Sequence, residues 1–224
     1  MQEHDQQLEA LQDIRRMMQR SSRFLSLSGL SGIAAGFWAL VGSYFAYHQI
    51  HGYYVAYNSH GYSGTGFQSL KWNLILIAAA VLVVALLSAL YFTWRRARKN
   101  GASVWNHTSR QLLVNTLIPL VTGGLLILAL LRYNDWRFIA PLCLIFYGLA
   151  LVNGSKYTLS DIRYLGLIQI VLGLINTQFI GYSLYFWAFG FGILHIVYGF
   201  AMWWKYERLP DEAAPVLRED SFSM

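Results

Sequence analysis

Charged residues are scarce in this chain, and their scarcity argues against a water-soluble globular fold. Asp, Glu, Lys and Arg make up 12% of the 224 residues, whereas hydrophobic residues make up 56%. An ordinary soluble domain carries about 25% charged residues. Three stretches contain no charged residue: 74–93, 112–131 and 164–204. Because a helix crosses a bilayer with about 20 apolar residues, we expect these stretches to lie in a membrane.

Cysteine and the usual reactive motifs are also missing. The single cysteine, Cys143, lies in an apolar run, which excludes an intrachain disulfide and a metal site built from several thiolates. We find no phosphate-binding loop, zinc-protease helix, nucleophile elbow or pair of intramembrane carboxylates. The sequence therefore predicts no catalytic residue, no metal and no cofactor.

The apolar segments predict an all-α fold, a polytopic membrane bundle of six transmembrane helices in residues 24–205. The predicted spans cover residues 24–47, 72–94, 111–131, 138–152, 159–179 and 184–204, and a loop follows the first span up to Ser69. The polar start of the chain lacks the apolar core of a secretory signal, so we expect the first span to be retained as an anchor.

Polar segments flank the predicted spans. Residues 1–23 predict a cytoplasmic amphipathic helix, because Leu8, Leu11, Ile14 and Met18 recur at helical spacing. This helix either lies on the membrane surface or docks on a partner protein or a second copy of the chain. Residues 206–224 predict a disordered cytoplasmic tail.

The basic residues predict the orientation in the membrane. With the N-terminus inside, 14 of the 17 Lys and Arg residues fall on the cytoplasmic side, and Lys71, Arg132 and Arg137 fall outside. Positive residues favour the cytoplasmic side, so both termini are predicted to be cytoplasmic, in an inner membrane. The net charge of +6 thus reflects topology, and nucleic acid is not an expected partner.

Small residues at helical spacing predict close helix contacts in three spans. They are Ser28, Gly32 and Gly36 in the first span, Gly166 and Gly173 in the fifth, and Gly192 and Gly199 in the sixth. For the first span, packing within the bundle is the favoured interpretation and a dimer interface is the alternative. In the third span, Pro119, Gly123 and Gly124 predict a kink or a closely packed point.

Gln169 and His195 occupy equivalent places in the near-repeats that begin at Gly166 and Gly192. Both lie on the small-residue face of their helix, so we predict that a hydrogen bond, direct or through water, joins them within the membrane. Tyr198 and Asn115 are candidate third partners. The alternative is that His195 titrates or binds a ligand, because an ionisable group within a span is a functional candidate.

The predicted loop after the first span contains three histidines, His48, His51 and His60. They are weak candidates for a divalent metal site, because the loop offers no Asp, Glu or Cys and the spacing is unspecific. We therefore predict no metal there.

Three segments resemble a bacterial group of hypothetical multi-span membrane proteins. They are Ile118–Gly124, Lys156–Leu159 with Ile162–Gly166, and Phe186–Gly190 continuing to His195. The resemblance covers most of the chain and implies a bacterial cytoplasmic membrane. It carries over no activity and no catalytic residue.

Three functions are open at this point. The first is a non-enzymatic regulatory or scaffold subunit, whose N-terminal helix and basic loop contact a cytoplasmic protein. The second is a small transporter or channel, acting as an oligomer, with Pro119 and its glycines forming a discontinuous helix. The third is an intramembrane enzyme with Gln169, His195 and Tyr198 as its cluster. A transporter needs a polar cavity at the midplane, an enzyme an exposed cluster and a scaffold a closed bundle.

Overall fold

The computed structural model describes residues 28–99 and 105–208, and every regular element in these ranges is helical. The predicted all-α bundle is thereby confirmed for this part of the chain. The predicted N-terminal amphipathic helix and residues 209–224 of the predicted tail lie outside it, whereas residues 206–208 of that tail are helical. The helices are α1 (Gly29–His60), α2 (Gly64–Lys99), α3 (His107–Arg132), α4 (Ile139–Gly154), α5 (Ile162–Gln178) and α6 (Ile180–Tyr206).

Four of these helices are long and apolar enough to cross a membrane. They are α1, α2, α3 and α6, with 32, 36, 26 and 27 residues. α4 is a shorter apolar helix of 16 residues and α5 has 17, against the roughly 20 that a bilayer core requires. The described helices therefore indicate a membrane protein built as a helical bundle.

The long loop predicted after the first span is wrong. α1 continues to His60, α2 already begins at Gly64, and the connection is only Gly61 to Ser63. Gly61 ends α1 with a φ of 81°, a conformation that glycine adopts without strain, and its N–H bonds to the Tyr57 carbonyl. The prediction stopped the helices at the expected membrane thickness, whereas α1 continues through Gly52 and ends at Gly61.

α6 lies at the centre of the bundle, because it contacts α1 on one side and α4 and α5 on the other. α2 packs against α1, and α3 packs against α4. At the end of the bundle that holds the α2 C-terminus, Lys205 and Tyr206 of α6 both bond to Asp161, at 2.8 and 2.9 Å. The hydrogen bond from Lys205 lowers the pKa of the Asp161 carboxyl, so this carboxylate stays ionised to a lower pH than a free aspartate.

Glycine makes the contact between α1 and α6 a contact between backbones. A Cβ atom on Gly199 would lie 2.6 Å from the Gly29 carbonyl oxygen, and one on Gly36 would lie 2.6 Å from that of Gly192. Gly32 faces Gly199 in the same seam. The small residues predicted in the first span therefore pack against those predicted in the sixth.

The small residues of α5 face a different helix. A Cβ atom on Gly166 would lie 2.7 Å from the carbonyl oxygen of Gly148 in α4, and Gly173 approaches the Pro141 carbonyl of the same helix. The near-repeats of the fifth and sixth spans thus pack against separate partners, α4 and α1.

Pro119 does not interrupt α3, which runs unbroken through it. A proline has no N–H to donate to the carbonyl four residues earlier, and here that carbonyl belongs to Asn115. The side chain of Asn153 in α4 takes the place of the missing donor, with Nδ2 at 3.1 Å from the Asn115 oxygen. Gly123 packs closely against Phe146, while Gly124 faces open space.

We expect Gly199→Ala to destabilise the bundle by about 1–3 kcal/mol, because the added methyl group would overlap the α1 backbone. Thermal unfolding in a mild detergent measures this. Gly124→Ala is the matched control, since nothing lies within 4 Å of its Cβ position, and it should leave the unfolding temperature unchanged or raise it. Equal losses for both variants would contradict the backbone contact.

A double-mutant cycle tests the replacement of the missing amide donor. Asn153→Leu should cost about 0.6 kcal/mol, the average for a hydrogen bond between membrane helices, because it leaves the Asn115 carbonyl without a donor. In a Pro119→Ala background residue 119 can itself donate to that carbonyl, so the same change should cost much less. Additive effects on the free energy of unfolding would exclude the compensation.

Candidate functional site

The candidate site is built around a π-helical stretch in α6, Ala188–Ile193. Here the Leu194 N–H bonds to the Phe189 carbonyl, so Gly190 loses the amide partner that an α-helix would provide. The Gly190 oxygen instead accepts from two side chains, Gln169 Nε2 at 2.7 Å and His195 Nδ1 at 2.9 Å. The Gly190 carbonyl therefore links α6 to α5 through Gln169, and it bonds to the next turn of α6 through His195.

The hydrogen bond to Gly190 assigns one ring proton of His195. A carbonyl oxygen can only accept, so Nδ1 carries the proton that His195 shares with Gly190. Nε2 lies 2.7 Å from the Tyr147 hydroxyl, and in the neutral ring it accepts the Tyr147 proton. The His195 side chain is 6% exposed and Gln169 is fully buried, so the cluster consists of neutral groups inside the bundle.

The two residues predicted to bond to each other are brought together, but they share an acceptor instead of bonding directly. Of the predicted third partners, Tyr198 packs with Leu159 and Met202 near the Asp161 contact, and Asn115 bonds within α3 and to α4. Tyr147 is the member that the sequence analysis missed. Its signal was a hydroxyl in an apolar span, since a buried tyrosine hydroxyl needs a hydrogen-bond partner.

Aromatic rings cover one side of the cluster. Phe191 stacks on His195 with ring centres 5.9 Å apart, and Trp187 contacts Phe191 at 5.0 Å. The Gln169 Oε1 atom is buried without a hydrogen-bond partner, and a Cβ atom on Gly190 would lie 2.7 Å from it. The hydrogen bonds of this arrangement join α4, α5 and α6.

The larger cavity has a volume of about 540 Å³ and lies among α1, α2, α3, α4 and α6. Its lining is apolar, and its two serines bond to backbone carbonyls of their own segments. Trp187 separates it from the histidine cluster. Representative lining residues are Ser43, Ala78, Leu82, Ile127, Cys143 and Trp187.

Lys71 lies at the end of this cavity nearest the α1–α2 connection. It is only 7% exposed, and its ammonium donates to the Asn134 side-chain oxygen. The nitrogen also lies 4.5 Å from the ring centre of Phe67 and 5.4 Å from that of Trp136. In the sequence Lys71 is only one of the basic residues outside the predicted spans. Its contact with Asn134 joins positions that are far apart along the chain.

A second cavity, of about 270 Å³, lies at the opposite end of the bundle. It is lined by polar and basic residues from the ends of α1, α2 and α6: Ser28, Leu30, Phe92, Arg95, Arg96, Lys99, Trp203 and Tyr206. Arg96 also donates to the Tyr206 carbonyl at 3.2 Å. Arg95, Arg96 and Lys99 at the C-terminal end of α2 therefore face a common space with α6.

The three weak metal candidates are all on α1 and exposed. His48 and His51 contact the rings of Tyr44 and Tyr47, and His60 is the last residue of the helix. Among residues 28–99 and 105–208, no group of three or more His, Cys, Asp or Glu side chains is placed to hold a metal ion.

Comparison with protein-family models, curated proteins and solved structures returned no match to this chain. The class that the fold and site define is therefore a membrane helical bundle with a buried, neutral polar cluster. Function has to be argued from this geometry.

Tyr147→Phe tests whether the hydroxyl anchors His195. Without its donor the buried Nε2 atom is left unpaired, and we expect a loss of about 1 kcal/mol in the free energy of unfolding. Tyr185→Phe is the control, because Tyr185 is 60% exposed. If the two variants unfold at the same temperature in detergent, the hydrogen bond does not stabilise the bundle.

Proposed function

We propose that this chain is a non-enzymatic membrane protein with six spans that acts as a regulatory or scaffold subunit for a cytoplasmic protein. The observation that carries the proposal is the burial of the polar cluster and the inward direction of its hydrogen bonds, with the Gln169 Oε1 atom left without a partner among the described residues. Tyr147, Gln169 and His195 direct their hydrogen bonds to one another or to Gly190. A cluster used in this way supports helix packing and is screened from substrates.

The six-span arrangement is supported by the packing of the two shorter helices. At 1.5 Å per residue, α4 and α5 reach about 24–26 Å, close to a hydrocarbon core of about 30 Å. Both pack against other helices of the bundle, and their backbones approach each other at Gly148 and Gly166. Their ends therefore do not need to reach the lipid headgroups unaided.

The proposed orientation places the end with the 270 Å³ cavity in the cytoplasm. Arg95, Arg98 and Lys99 lie in the last turns of α2, and Lys205 lies at the corresponding end of α6. Lys71, Arg132 and Arg137 belong to the other end. This asymmetry matches the preference of basic residues for the cytoplasmic side, and an even number of spans puts both termini there. A bacterial inner membrane is part of the same proposal.

The partner that fits the cytoplasmic end carries acidic side chains. Arg95 and Lys99 are exposed and line the 270 Å³ cavity beside the aromatic rings of Trp203 and Tyr206. Complementary charge favours encounter and fixes the relative orientation of two partners. We propose that an acidic segment of the regulated protein binds here.

The alternative is a small transporter or channel that works as an oligomer. It would use a polar route reaching the middle of the bundle, whereas the 540 Å³ cavity of the described part has an apolar lining. Pro119, the candidate for a discontinuous helix, lies in an unbroken α3. The geometry therefore favours the scaffold, and transport is the competing outcome of the test.

The test is gentle extraction of the tagged full-length chain from its native membrane, followed by native mass spectrometry. We expect a stoichiometric partner protein with the unmodified chain. Arg95→Glu combined with Lys99→Glu should weaken its binding about tenfold or more, equivalent to about 1.4 kcal/mol. His195→Ala, where it folds, should retain the partner.

Arg98→Glu is the matched control, because the Arg98 guanidinium lies 4.7 Å from the Trp94 ring and does not line the cavity. It changes the charge of the same helix end and should retain the partner. A homo-oligomer that carries an ion or small molecule, and that supports flux in liposomes, would overturn the scaffold proposal in favour of transport.

A further inference from the structure

The 540 Å³ cavity has the size and lining of a site for an apolar ligand. Ligand pockets commonly measure about 300–1,000 Å³, and this one is lined mainly by apolar side chains from five helices of the bundle. An apolar cavity of this kind is not filled by water. At the depth of a membrane span, the apolar molecules at hand are the acyl chains of lipids.

The position of Lys71 provides a charged group above the cavity. Leu74, the first cavity-lining residue of α2, follows Lys71 by one helical turn, about 4.5 Å along the axis. Trp136 joins the two regions, because it lines the cavity and its ring centre lies 5.4 Å from the Lys71 nitrogen. The apolar space and the buried cation are therefore parts of one site.

Lys71 lacks a negative partner within the described chain. Its polar contact there is the neutral Asn134 oxygen, supplemented by the faces of two aromatic rings. A buried charge is costly unless a counter-charge accompanies it. Asp135 follows Asn134 in the sequence, but it already pairs with Arg137 at 3.1 Å.

Trp136 supplies a second unused donor at the same place. Its indole N–H is buried and has no hydrogen-bond acceptor in the described part of the structure. A ligand that brings an anionic oxygen to Lys71 would also bring an acceptor to Trp136. Among the described residues, Lys71 lacks an anion and Trp136 lacks an acceptor. An anionic oxygen at this point would supply both.

We propose that this site binds an anionic phospholipid of the surrounding leaflet, with one acyl chain in the cavity and the headgroup phosphate at Lys71. The bilayer is the source that we favour, because its phospholipids present a phosphate and an acyl chain together at this depth. The inference rests on the proposed membrane spans and is independent of the cytoplasmic partner, so the two proposals can fail separately.

The test measures lipid retention on the purified full-length chain by native mass spectrometry. The probes are phosphatidylglycerol and phosphatidylcholine with the same acyl chains. We expect one tightly held phosphatidylglycerol, preferred over phosphatidylcholine by about fivefold, the effect of one basic residue on an anionic headgroup. Lys71→Gln should abolish the preference, and Lys71→Arg should preserve it.

A second variant examines the acyl chain separately from the charge. Ala78→Phe fills part of the cavity from the exposed side of α2, so both lipids should be lost. Ala80→Phe is its control, because Ala80 is exposed and does not line the cavity. Arg132→Gln removes one charge from the same end of the bundle and should behave like the unmodified chain.

The proposal is overturned if Lys71→Gln keeps the preference for phosphatidylglycerol, or if Ala78→Phe retains lipid as well as Ala80→Phe does. Recovery of a free fatty acid in place of a phospholipid would refute the proposed source. If Lys71→Gln does not fold, as judged by gel filtration, the comparison of Ala78→Phe with Ala80→Phe still decides whether the cavity holds the chain.

Discussion

A carbonyl without its helical amide partner has no water to bond to inside a bilayer, and this constraint organises the centre of the bundle. The carbonyls of Asn115 and Gly190, both within the described helices, are in this situation. Pro119 removes the donor in one case and the π-helical stretch of α6 removes it in the other. In both cases an amide side chain from a neighbouring helix donates instead, so each local defect in a helix becomes a bond between helices.

Pairing of donors with acceptors also explains the histidine cluster, which resembles an active site in composition but differs from one in arrangement. His195 receives a donor on one nitrogen and an acceptor for the other, which fills the capacity of a neutral ring. Lys71 is the opposite case, since its charge exceeds what the neutral groups around it can compensate. Within the described part of the chain, the buried charge that lacks a counter-charge is therefore that of Lys71, outside the polar cluster, whose own unmet group is the neutral Gln169 Oε1 atom.

Sequence patterns predicted the features that repeat along one helix. The spacing of Gly32, Gly36, Gly192 and Gly199 indicated close contacts, and hydropathy located all six helices, although it ended α1 and α2 too early. Contacts between particular helices could not be predicted. The spacing shows which face of a helix carries small residues, but it does not show which helix packs against that face. The π-helical stretch was also invisible, since a shift in backbone hydrogen bonding leaves no periodic trace in the side chains. The contact of Tyr147 with His195 and the surroundings of Lys71 depend on which helices meet, and spacing along one helix does not give this.

The seam between α1 and α6 joins the first and last described helices, and this has a consequence for biosynthesis. α1 and α2 can pair as soon as they emerge from the ribosome, but the glycine face of α1 has no protein surface to meet until α6 has been made. Tyr147 and Gln169 are likewise synthesised before their hydrogen-bond partners, the ring of His195 and the carbonyl of Gly190. Chains of this size often pass through incompletely packed intermediates, and here the order of synthesis dictates one. In that intermediate the side chains of Tyr147 and Gln169 lack their hydrogen-bond partners until residues 190–195 of α6 have been made.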